Sequence, residues 1–227
     1  MKKLLLLHGA LGSSAQMEPL ADLLRNKFDI YSFDFPGHGG KDFLSESLSI
    51  SNLSNSVVDF IQQFELENCN VFGYSMGGYI ALNLQANKQI RFNKIITLAT
   101  KYNWSNEIAA IEINKLNPGK IQEKIPSFAS QLANRHLPND WKKLMIEIAS
   151  LMKDLGEYHL EDSDYKKIQC SVRICIGDHD NMVSVEESLH TYRQLPNGSL
   201  SVFSDTSHPF EKLSYDKLAS EINQFIS

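Results

Sequence analysis

The chain has 227 residues, of which 42% are hydrophobic and 22% charged, and its formal net charge at pH 7 is −5. A chain of this length and composition can bury one sizeable hydrophobic core, and we expect a single domain over residues 1–227. The negative charge and the scattered lysines and arginines argue against a basic face that binds nucleic acid.

The amino-terminal segment imitates the start of a signal peptide, because residues 1–3 include two lysines and precede four leucines. The apolar run ends at His8, however, and is shorter than the roughly 7–15 residues of a signal-peptide core. No segment reaches the length of a transmembrane helix. The cysteines, Cys69, Cys170 and Cys175, form no C-x-x-C pair and are predicted to be buried thiols of a reducing compartment. We therefore expect a cytoplasmic protein.

In chain order, short apolar runs predict six β-strands, at residues 4–7, 29–34, 70–72, 94–99, 172–176 and 200–203. Apolar side chains recur at helical spacing between them, first in residues 17–24 and last in residues 218–225. Strands that alternate with helices form a parallel sheet with right-handed crossovers. The sequence therefore predicts an α/β fold, with a mostly parallel sheet of about six strands flanked by helices.

The segment after the third predicted strand is Gly73-Tyr74-Ser75-Met76-Gly77, a G-x-S-x-G pattern, and a helix is predicted over residues 78–86. Between a strand and a helix, this pattern forms a tight turn with the serine exposed at its tip. Both glycines are needed, because a Cβ at either position would collide with the adjacent strand or helix. The free N–H groups at the start of the helix favour a developing anion. Ser75 is therefore the candidate nucleophile.

Three further loops follow predicted strands. His8-Gly9-Ala10-Leu11-Gly12, with the pattern H-G-x-x-G, follows the first strand. Gly177-Asp178-His179-Asp180 follows the fifth strand, and Ser207-His208 follows the sixth. The chain order is thus serine, aspartate, histidine, each just beyond the carboxyl end of a strand. This is the order of the α/β-hydrolase triad, and it differs from the orders in chymotrypsin and subtilisin.

Together the four motifs resemble those of the α/β-hydrolase superfamily, and the resemblance covers the chain except for its middle segment. It implies a catalytic triad of Ser75, Asp180 and His208, in which the acid orients the imidazole and the imidazole activates the serine. It also implies an oxyanion hole built from the backbone N–H groups of Ala10 and Met76. Neither a cofactor nor a metal ion is implied.

Alternatives for two of these roles stay open. Asp178 is the second choice for the acid, although it is more typical of a turn-forming residue. Asp205 lies too close to His208 in sequence to orient its ring easily. Leu11 is the second choice for the oxyanion donor in place of Ala10. The acidic loop has no H-x-x-x-H or cysteine partner, so a metal site is not predicted.

Residues 102–165 interrupt the alternation of strands and helices. A long apolar stripe that ends at Gly156 predicts one long helix, and shorter helices are predicted around residues 108–116 and 128–136. Helices without intervening strands cannot extend a parallel sheet. We therefore expect a helical cap insertion over the active site, and the alternative is that these helices only complete the core.

The long predicted helix presents large apolar side chains on one face. Trp141, Met145 and Met152 lie at spacings i, i+4 and i+11, which places all three on that face. They should therefore share one role, either lining the substrate pocket or packing in the core, and we favour lining. A cap lined by such side chains would suit a small-molecule substrate with apolar surface.

The resemblance implies a serine hydrolase that cleaves a carboxylic ester or related acyl bond through an acyl-enzyme, as a carboxylesterase does. Alternatives on the same triad are a thioester or carbon–carbon bond hydrolase, or a lyase such as the menaquinone-pathway synthase of this superfamily. Dehalogenases and epoxide hydrolases of the fold have Asp where Ser75 stands, which argues against both. A small-molecule sensor with little turnover is an alternative of a different class. We expect no nucleic-acid or membrane partner and leave homo-oligomer formation open.

The remaining histidines are interpreted as structural. His8 is expected to pack and form hydrogen bonds within its loop, and His38 to lie in a glycine-rich surface turn. His136, His159 and His190 are isolated in the sequence and are expected at the surface.

Overall fold

The structure, a computed structural model, describes residues 1–227. Its strands are β1 Lys2–Leu7, β2 Phe28–Phe33, β3 Asn70–Tyr74, β4 Lys94–Leu98, β5 Ser171–Gly177 and β6 Gly198–Phe203. They form one sheet in the order β2-β1-β3-β4-β5-β6, and every pair of neighbours is parallel. The predicted fold class is therefore confirmed, with a sheet of six strands.

Ten α-helices connect or follow the strands. Three precede β4: α1 Ser14–Leu24, α2 Ile50–Gln63 and α3 Met76–Ala86. Five lie between β4 and β5: α4 Asn106–Lys115, α5 Pro118–Lys124, α6 Pro126–His136, α7 Trp141–Glu157 and α8 Asp162–Tyr165. The last two are α9 Val185–Gln194 and α10 Tyr215–Ile226. None of the helices combines the length and the apolar composition that crossing a membrane would require.

Helices cover both faces of the sheet. Side chains along a strand alternate between the two faces, and in this sheet both faces carry apolar side chains that the helices bury. In β1, Leu4 and Leu6 pack with α1 and α10 on one face, whereas Leu5 and Leu7 join the core formed with α2 and α3 on the other. All four leucines are at most 1% exposed. Burying each side chain contributes about 1.5–3 kcal/mol relative to leaving it exposed. This burial on both faces stabilises the sheet, which holds the loops at its edge in place.

All strands end at the same edge of the sheet, because all are parallel. From β1 the chain passes to β2 on one side, and it then crosses to β3 on the other side of β1. In open α/β sheets, ligands bind beyond the carboxyl ends of the strands at such a switch point. The loops after β1 and β3 therefore meet where a site is expected, and the loops after β5 and β6 lie along the same edge.

Residues 102–165 contain five helices and no strand, in agreement with the predicted helical segment. The long helix α7 packs against α4. Helix α7 ends at Glu157, one residue beyond the predicted end at Gly156. A Cβ at Gly156 would stand 2.8 Å from the Asn106 side chain and 3.1 Å from Ala109 Cβ. The glycine therefore permits close packing between the two helices.

The three cysteines are free thiols beside or within strands. Cys69 and Cys175 are buried and Cys170 is half-buried. Burial raises the pKa of Cys69 to about 12 and that of Cys170 to about 11, and it raises the pKa of Cys175 further. The thiols are therefore protonated near neutral pH and pack as small apolar groups.

Candidate active site

Ser75 occupies the sharp turn between β3 and α3, where the G-x-S-x-G pattern predicts it. Its backbone has φ 50° and ψ −117°, a conformation that non-glycine residues adopt only at a cost in strain. Ser75 N–H donates to Leu98 O over 2.8 Å, and Ser75 O accepts a hydrogen bond from Thr100 Oγ1 over 3.1 Å. These bonds hold the strained peptide and leave the Ser75 side chain half-buried at the edge of the sheet.

The two glycines of the pattern let strand and helix approach closely. A Cβ on Gly73 would stand 2.4 Å from Gly78 N, and a Cβ on Gly77 would stand 2.4 Å from Leu7 O. Both partners are backbone atoms, so no side-chain rotation can relieve either contact. The predicted reason for the two glycines is therefore confirmed.

Asp180 and His208 come from the loops after β5 and β6, and their side chains meet. His208 Nδ1 and Asp180 Oδ2 are 2.8 Å apart. The other carboxylate oxygen, Oδ1, accepts hydrogen bonds from the backbone N–H groups of Met182 and Val183 over 2.8 and 2.9 Å. Because the Asp180 side chain is only 1% exposed, these three contacts fix its orientation.

The Asp180 carboxyl is ionised near neutral pH. Burial raises its pKa, but the hydrogen bond and charge of His208 and the two backbone N–H groups outweigh burial and hold the pKa below its usual range. An ionised carboxylate only accepts hydrogen bonds, so His208 Nδ1 must be the donor. In the neutral ring, His208 Nε2 is then unprotonated and can accept a proton.

The two alternative acids lie away from His208. Asp178 is exposed, and its Oδ1 accepts the N–H of Thr206 over 3.1 Å, a contact that lowers the Asp178 pKa. Asp205 is also exposed, and its Oδ1 lies 3.4 Å from His179 Nδ1. Asp178 thus shapes the turn, as its sequence context indicates. No group of three or more His, Cys, Asp or Glu side chains is arranged to hold a metal ion.

Tyr74 supports His208 in a way that the motifs do not indicate. The Tyr74 hydroxyl donates to His208 O over 2.9 Å, and the two ring centroids are 5.6 Å apart. Tyr74 occupies a variable position of the G-x-S-x-G pattern, so the pattern itself assigns it no role. Strand alternation could have indicated its direction, since Tyr74 and Phe72 share the face of β3 that packs against α10.

The backbone N–H groups of Ala10 and Met76 are available to a ligand. Ala10 N–H has no acceptor within the protein, and Met76 is the first residue of α3, where N–H groups have no intrahelical partner. The alternative donor, Leu11 N–H, already donates to a histidine ring over 3.3 Å. The loop passes close to Ser75, since a Cβ on Gly9 would stand 3.1 Å from Ser75 Cβ. These contacts favour Ala10 over Leu11 as the candidate donor to an oxyanion.

One cavity brings four of the five predicted site residues together: Ser75, His208, Ala10 and Met76 all border it, and Asp180 lies behind His208. The side-chain hydrogen bond of His208 goes to Asp180, and Ser75 Oγ forms none with His208. A serine and a histidine in such an arrangement often reach hydrogen-bond distance only when a substrate binds.

Helix α7 forms part of the cavity wall through Ile148, Leu151, Met152 and Leu155. Met145 instead lies fully buried in a separate cluster with Trp141 and with Leu132 of α6. The prediction that the three stripe residues share one role is therefore wrong. Met145 and Met152 share a face, but they are seven positions apart, which separates them by about 10 Å along the helix axis. One end of the face packs on α6, and the other end borders the cavity.

Three histidines are fully buried in or beside the loop after β1: His8, His38 and His136. Ring centroids are 5.1 Å apart between His8 and His38 and 5.8 Å apart between His38 and His136. The surface positions predicted for His38 and His136 are therefore wrong, whereas His190 is exposed and His159 is half-buried. Burial lowers the pKa of His8 to about 3 and that of His136 to about 4, so both rings are neutral near pH 7.

Known proteins resemble this chain over most of its length. A family model described as the alpha/beta hydrolase fold matches residues 2–151. The chain is 25% identical over 229 residues to a pimeloyl-(acyl-carrier protein) methyl ester esterase from Pseudoalteromonas atlantica, covering 90% of this chain and 87% of that protein. It is 35% identical over 78 residues, or 34% of this chain, to a probable alcohol acetyltransferase from Cyberlindnera fabianii. The chain spans only 21% of that acetyltransferase's length.

The fold also resembles that of a solved enzyme structure. The enol-lactonase from Burkholderia xenovorans LB400 superimposes with a TM-score of 0.80 at 15% sequence identity. The superposition covers 99% of this chain and 91% of the enol-lactonase. At this identity the likeness shows a shared fold.

Proposed function

This chain belongs to the α/β-hydrolase family, and on that premise we propose that it is a serine hydrolase that cleaves a carboxylic ester or related acyl bond. The observation that carries the proposal is the 2.8 Å contact between His208 Nδ1 and Asp180 Oδ2, behind a cavity that Ser75 also borders. A histidine oriented by a carboxylate is the base that activates a serine hydroxyl. The relative named as a methyl ester esterase supports the same reaction class.

In the first half of the reaction, Ser75 Oγ attacks the acyl carbon while His208 Nε2 takes the hydroxyl proton. The charge that develops on the carbonyl oxygen is stabilised by the N–H groups of Ala10 and Met76. The ionised Asp180 carboxylate stabilises the imidazolium, and it remains ionised throughout. His208 then gives the proton to the departing alcohol oxygen, which leaves the acyl group on Ser75.

In the second half, a water molecule attacks the same acyl carbon. His208 Nε2 accepts the proton of the water, and the same two N–H groups stabilise the second oxyanion. When the bond to Ser75 Oγ breaks, His208 returns the proton to the serine and the carboxylic acid leaves. The residues present therefore supply every proton transfer of the cycle, and the site needs no further group for it.

The cavity supports a short, uncharged acyl group. Its volume is about 50 Å³, and a single buried water needs about 10–15 Å³ on the same scale. Its wall is mostly apolar, and it includes the side chains of Lys101 and Glu112. Lys101 Nζ lies 3.6 Å from Glu112 Oε1 and 3.9 Å from Glu187 Oε2, and Lys115 Nζ lies 2.8 Å from Glu112 Oε2. Two carboxylates thus balance the two ammonium groups, which supports an uncharged acyl group.

Turnover of a p-nitrophenyl ester series from acetate to octanoate tests the proposed function. We expect repeated turnover with the highest kcat/KM for the shortest chains, because each methylene that the pocket cannot accept costs about tenfold or more. The Ser75→Ala protein, prepared in the same way, measures any contaminating esterase. A single burst of one product per protein would point instead to a sensor. No release from any ester would favour the carbon–carbon hydrolase or lyase alternatives.

Shortening Met152 should widen the acyl specificity. The Met152 side chain borders the cavity, so Met152→Ala adds space where a longer chain would extend. We expect the ratio of kcat/KM for hexanoate over acetate to rise at least about tenfold, since one methylene in an apolar pocket is worth about 1–3 kcal/mol. The two kcat/KM values, measured on the same preparation, give this ratio directly.

Met145→Ala is the matched control on the same face of α7. Met145 is fully buried and packs in the cluster with Leu132. Its truncation should cost about 2–5 kcal/mol of unfolding free energy through the lost contacts and leave the hexanoate-to-acetate ratio unchanged. If Met145→Ala changed the ratio and Met152→Ala did not, the proposed lining of the acyl pocket would be wrong.

A further inference from the structure

Three side chains hold the peptide groups of Leu11, the residue that follows Ala10 in the loop after β1. Leu11 N–H donates to His38 Nε2 over 3.3 Å. Leu11 O is 2.9 Å from Arg135 Nη1, which donates to it, and 3.1 Å from His136 Nε2. Leu11 has φ 57°, in the left-handed region that non-glycine residues rarely adopt. The three contacts therefore hold both peptide groups that flank the Leu11 Cα, and with them the strained backbone of Leu11.

Each of the two histidines accepts one backbone N–H and donates to one backbone carbonyl. His136 Nδ1 accepts the N–H of Gly39 over 3.1 Å, so its proton is on Nε2 and points to Leu11 O. His38 Nε2 accepts Leu11 N–H, so its proton is on Nδ1, which lies 3.0 Å from Pro36 O. Both rings are thus neutral and confined to one tautomer, which makes each contact directional.

Arg135 also connects the two loops that carry the proposed catalytic groups. While its Nη1 binds Leu11 O, its Nη2 donates to Glu211 Oε1 over 2.8 Å. Glu211 lies three residues after His208. Arg135 and His136 are the last two residues of α6, within the helical segment 102–165. The end of that helix therefore joins the loop of Ala10 to the loop of His208.

We propose that Arg135 and His136 are positioning residues for acyl hydrolysis, which hold the Leu11 carbonyl so that the Ala10 N–H, two peptide groups earlier in the same loop, stays in place as an oxyanion donor. This inference rests on the proposed serine hydrolase function and extends it to a dependence of the active site on α6. A free donor works only if its position is fixed in advance. Displacements of about 1 Å can cost about 10²-fold in rate, and a loop with strained φ at Leu11 would relax without its three partners.

The test compares Arg135→Met, Arg135→Lys and His136→Phe with the wild-type protein. Active sites are titrated to completion with a fluorophosphonate, and kcat and KM for p-nitrophenyl acetate are expressed per titrated site. We expect Arg135→Met and His136→Phe each to lower kcat about tenfold, less than the 10²–10³-fold that follows complete loss of an oxyanion donor. KM should stay unchanged, and Arg135→Lys should recover most of the loss because its ammonium can still donate to Leu11 O.

A merely structural role would reduce the number of titratable sites and the melting temperature, but not kcat per site. Arg91→Met is the matched control, because Arg91 is exposed in the segment just before β4, and it should leave kcat unchanged. If Arg135→Met does not fold, His136→Phe alone decides. The positioning role would be overturned if the variants kept the wild-type kcat per site, or if their KM rose at unchanged kcat. In either case Ser75→Ala would still abolish hydrolysis, so the proposed function would stand. If Ser75→Ala kept wild-type turnover, the proposed function itself would fail.

Discussion

Ser75→Ala should lower kcat for ester hydrolysis by about 10⁶-fold, the loss that follows removal of a triad serine or histidine. The only other hydroxyl in the cavity wall belongs to Tyr79. Tyr79 cannot substitute, because its oxygen accepts the N–H of Leu160 over 2.7 Å and burial raises its pKa. The variant should fold normally, since alanine keeps the Cβ and the turn is held through the peptide groups of Ser75.

His208→Ala should cause a loss of the same size, and the double variant should be no slower than either single variant. The two groups act in one step, so removing the second adds nothing once the first is gone. His190→Ala is the control, because His190 is exposed and outside the cavity wall, and its turnover should remain that of the wild type. The steady-state kcat for p-nitrophenyl acetate is measured for the two single variants, the double variant and the control. Near wild-type turnover in Ser75→Ala would exclude Ser75 as the nucleophile.

The positions of the candidate catalytic residues could be predicted because they depend on features that repeat locally. An apolar run such as residues 4–7 is buried on both faces as a parallel strand. Parallel strands end at one edge, so residues that follow different strands meet there regardless of their distance in sequence. Asp180 and His208 are 28 residues apart, and their 2.8 Å contact follows from the pairing of β5 with β6.

The burial of His38 and His136 could not be predicted, because no local sequence pattern indicates it. A single histidine in a turn has no periodicity that would mark it as buried. His136, at the end of α6, reaches Leu11 across 125 residues of sequence, and His38, in the turn after β2, reaches it across 27. Both contacts depend on how distant segments dock in the whole fold. The same reason explains why the different surroundings of Met145 and Met152 could not be predicted. Helical spacing gives the face of a side chain, but the neighbour at each level of the helix comes from tertiary packing.

Asp180→Asn should lower kcat by about 10⁴-fold, as in other triads that lose the charge of the acid, although the side chain keeps its size and shape. Asp180 Oδ1 accepts two backbone N–H groups, from Met182 and Val183. In the variant, the amide oxygen must take this position, because an NH₂ group there would face two donors. The NH₂ group would then face His208 Nδ1, which must become the acceptor. The ring proton moves to His208 Nε2, and the base that should accept the Ser75 proton is occupied.

Asp178→Asn is the matched control, with the same change of charge in the same loop. Asp178 is exposed, and an amide oxygen can still accept the N–H of Thr206 that the carboxylate accepts over 3.1 Å. Its kcat should therefore stay close to that of the wild type. Both variants are measured with p-nitrophenyl acetate, and their circular-dichroism spectra and melting temperatures check that they are folded. A large loss in Asp178→Asn with little change in Asp180→Asn would transfer the acid role to Asp178. Little change in either variant would contradict the orientation of His208 by a carboxylate, because the tautomer would then be set by some other group.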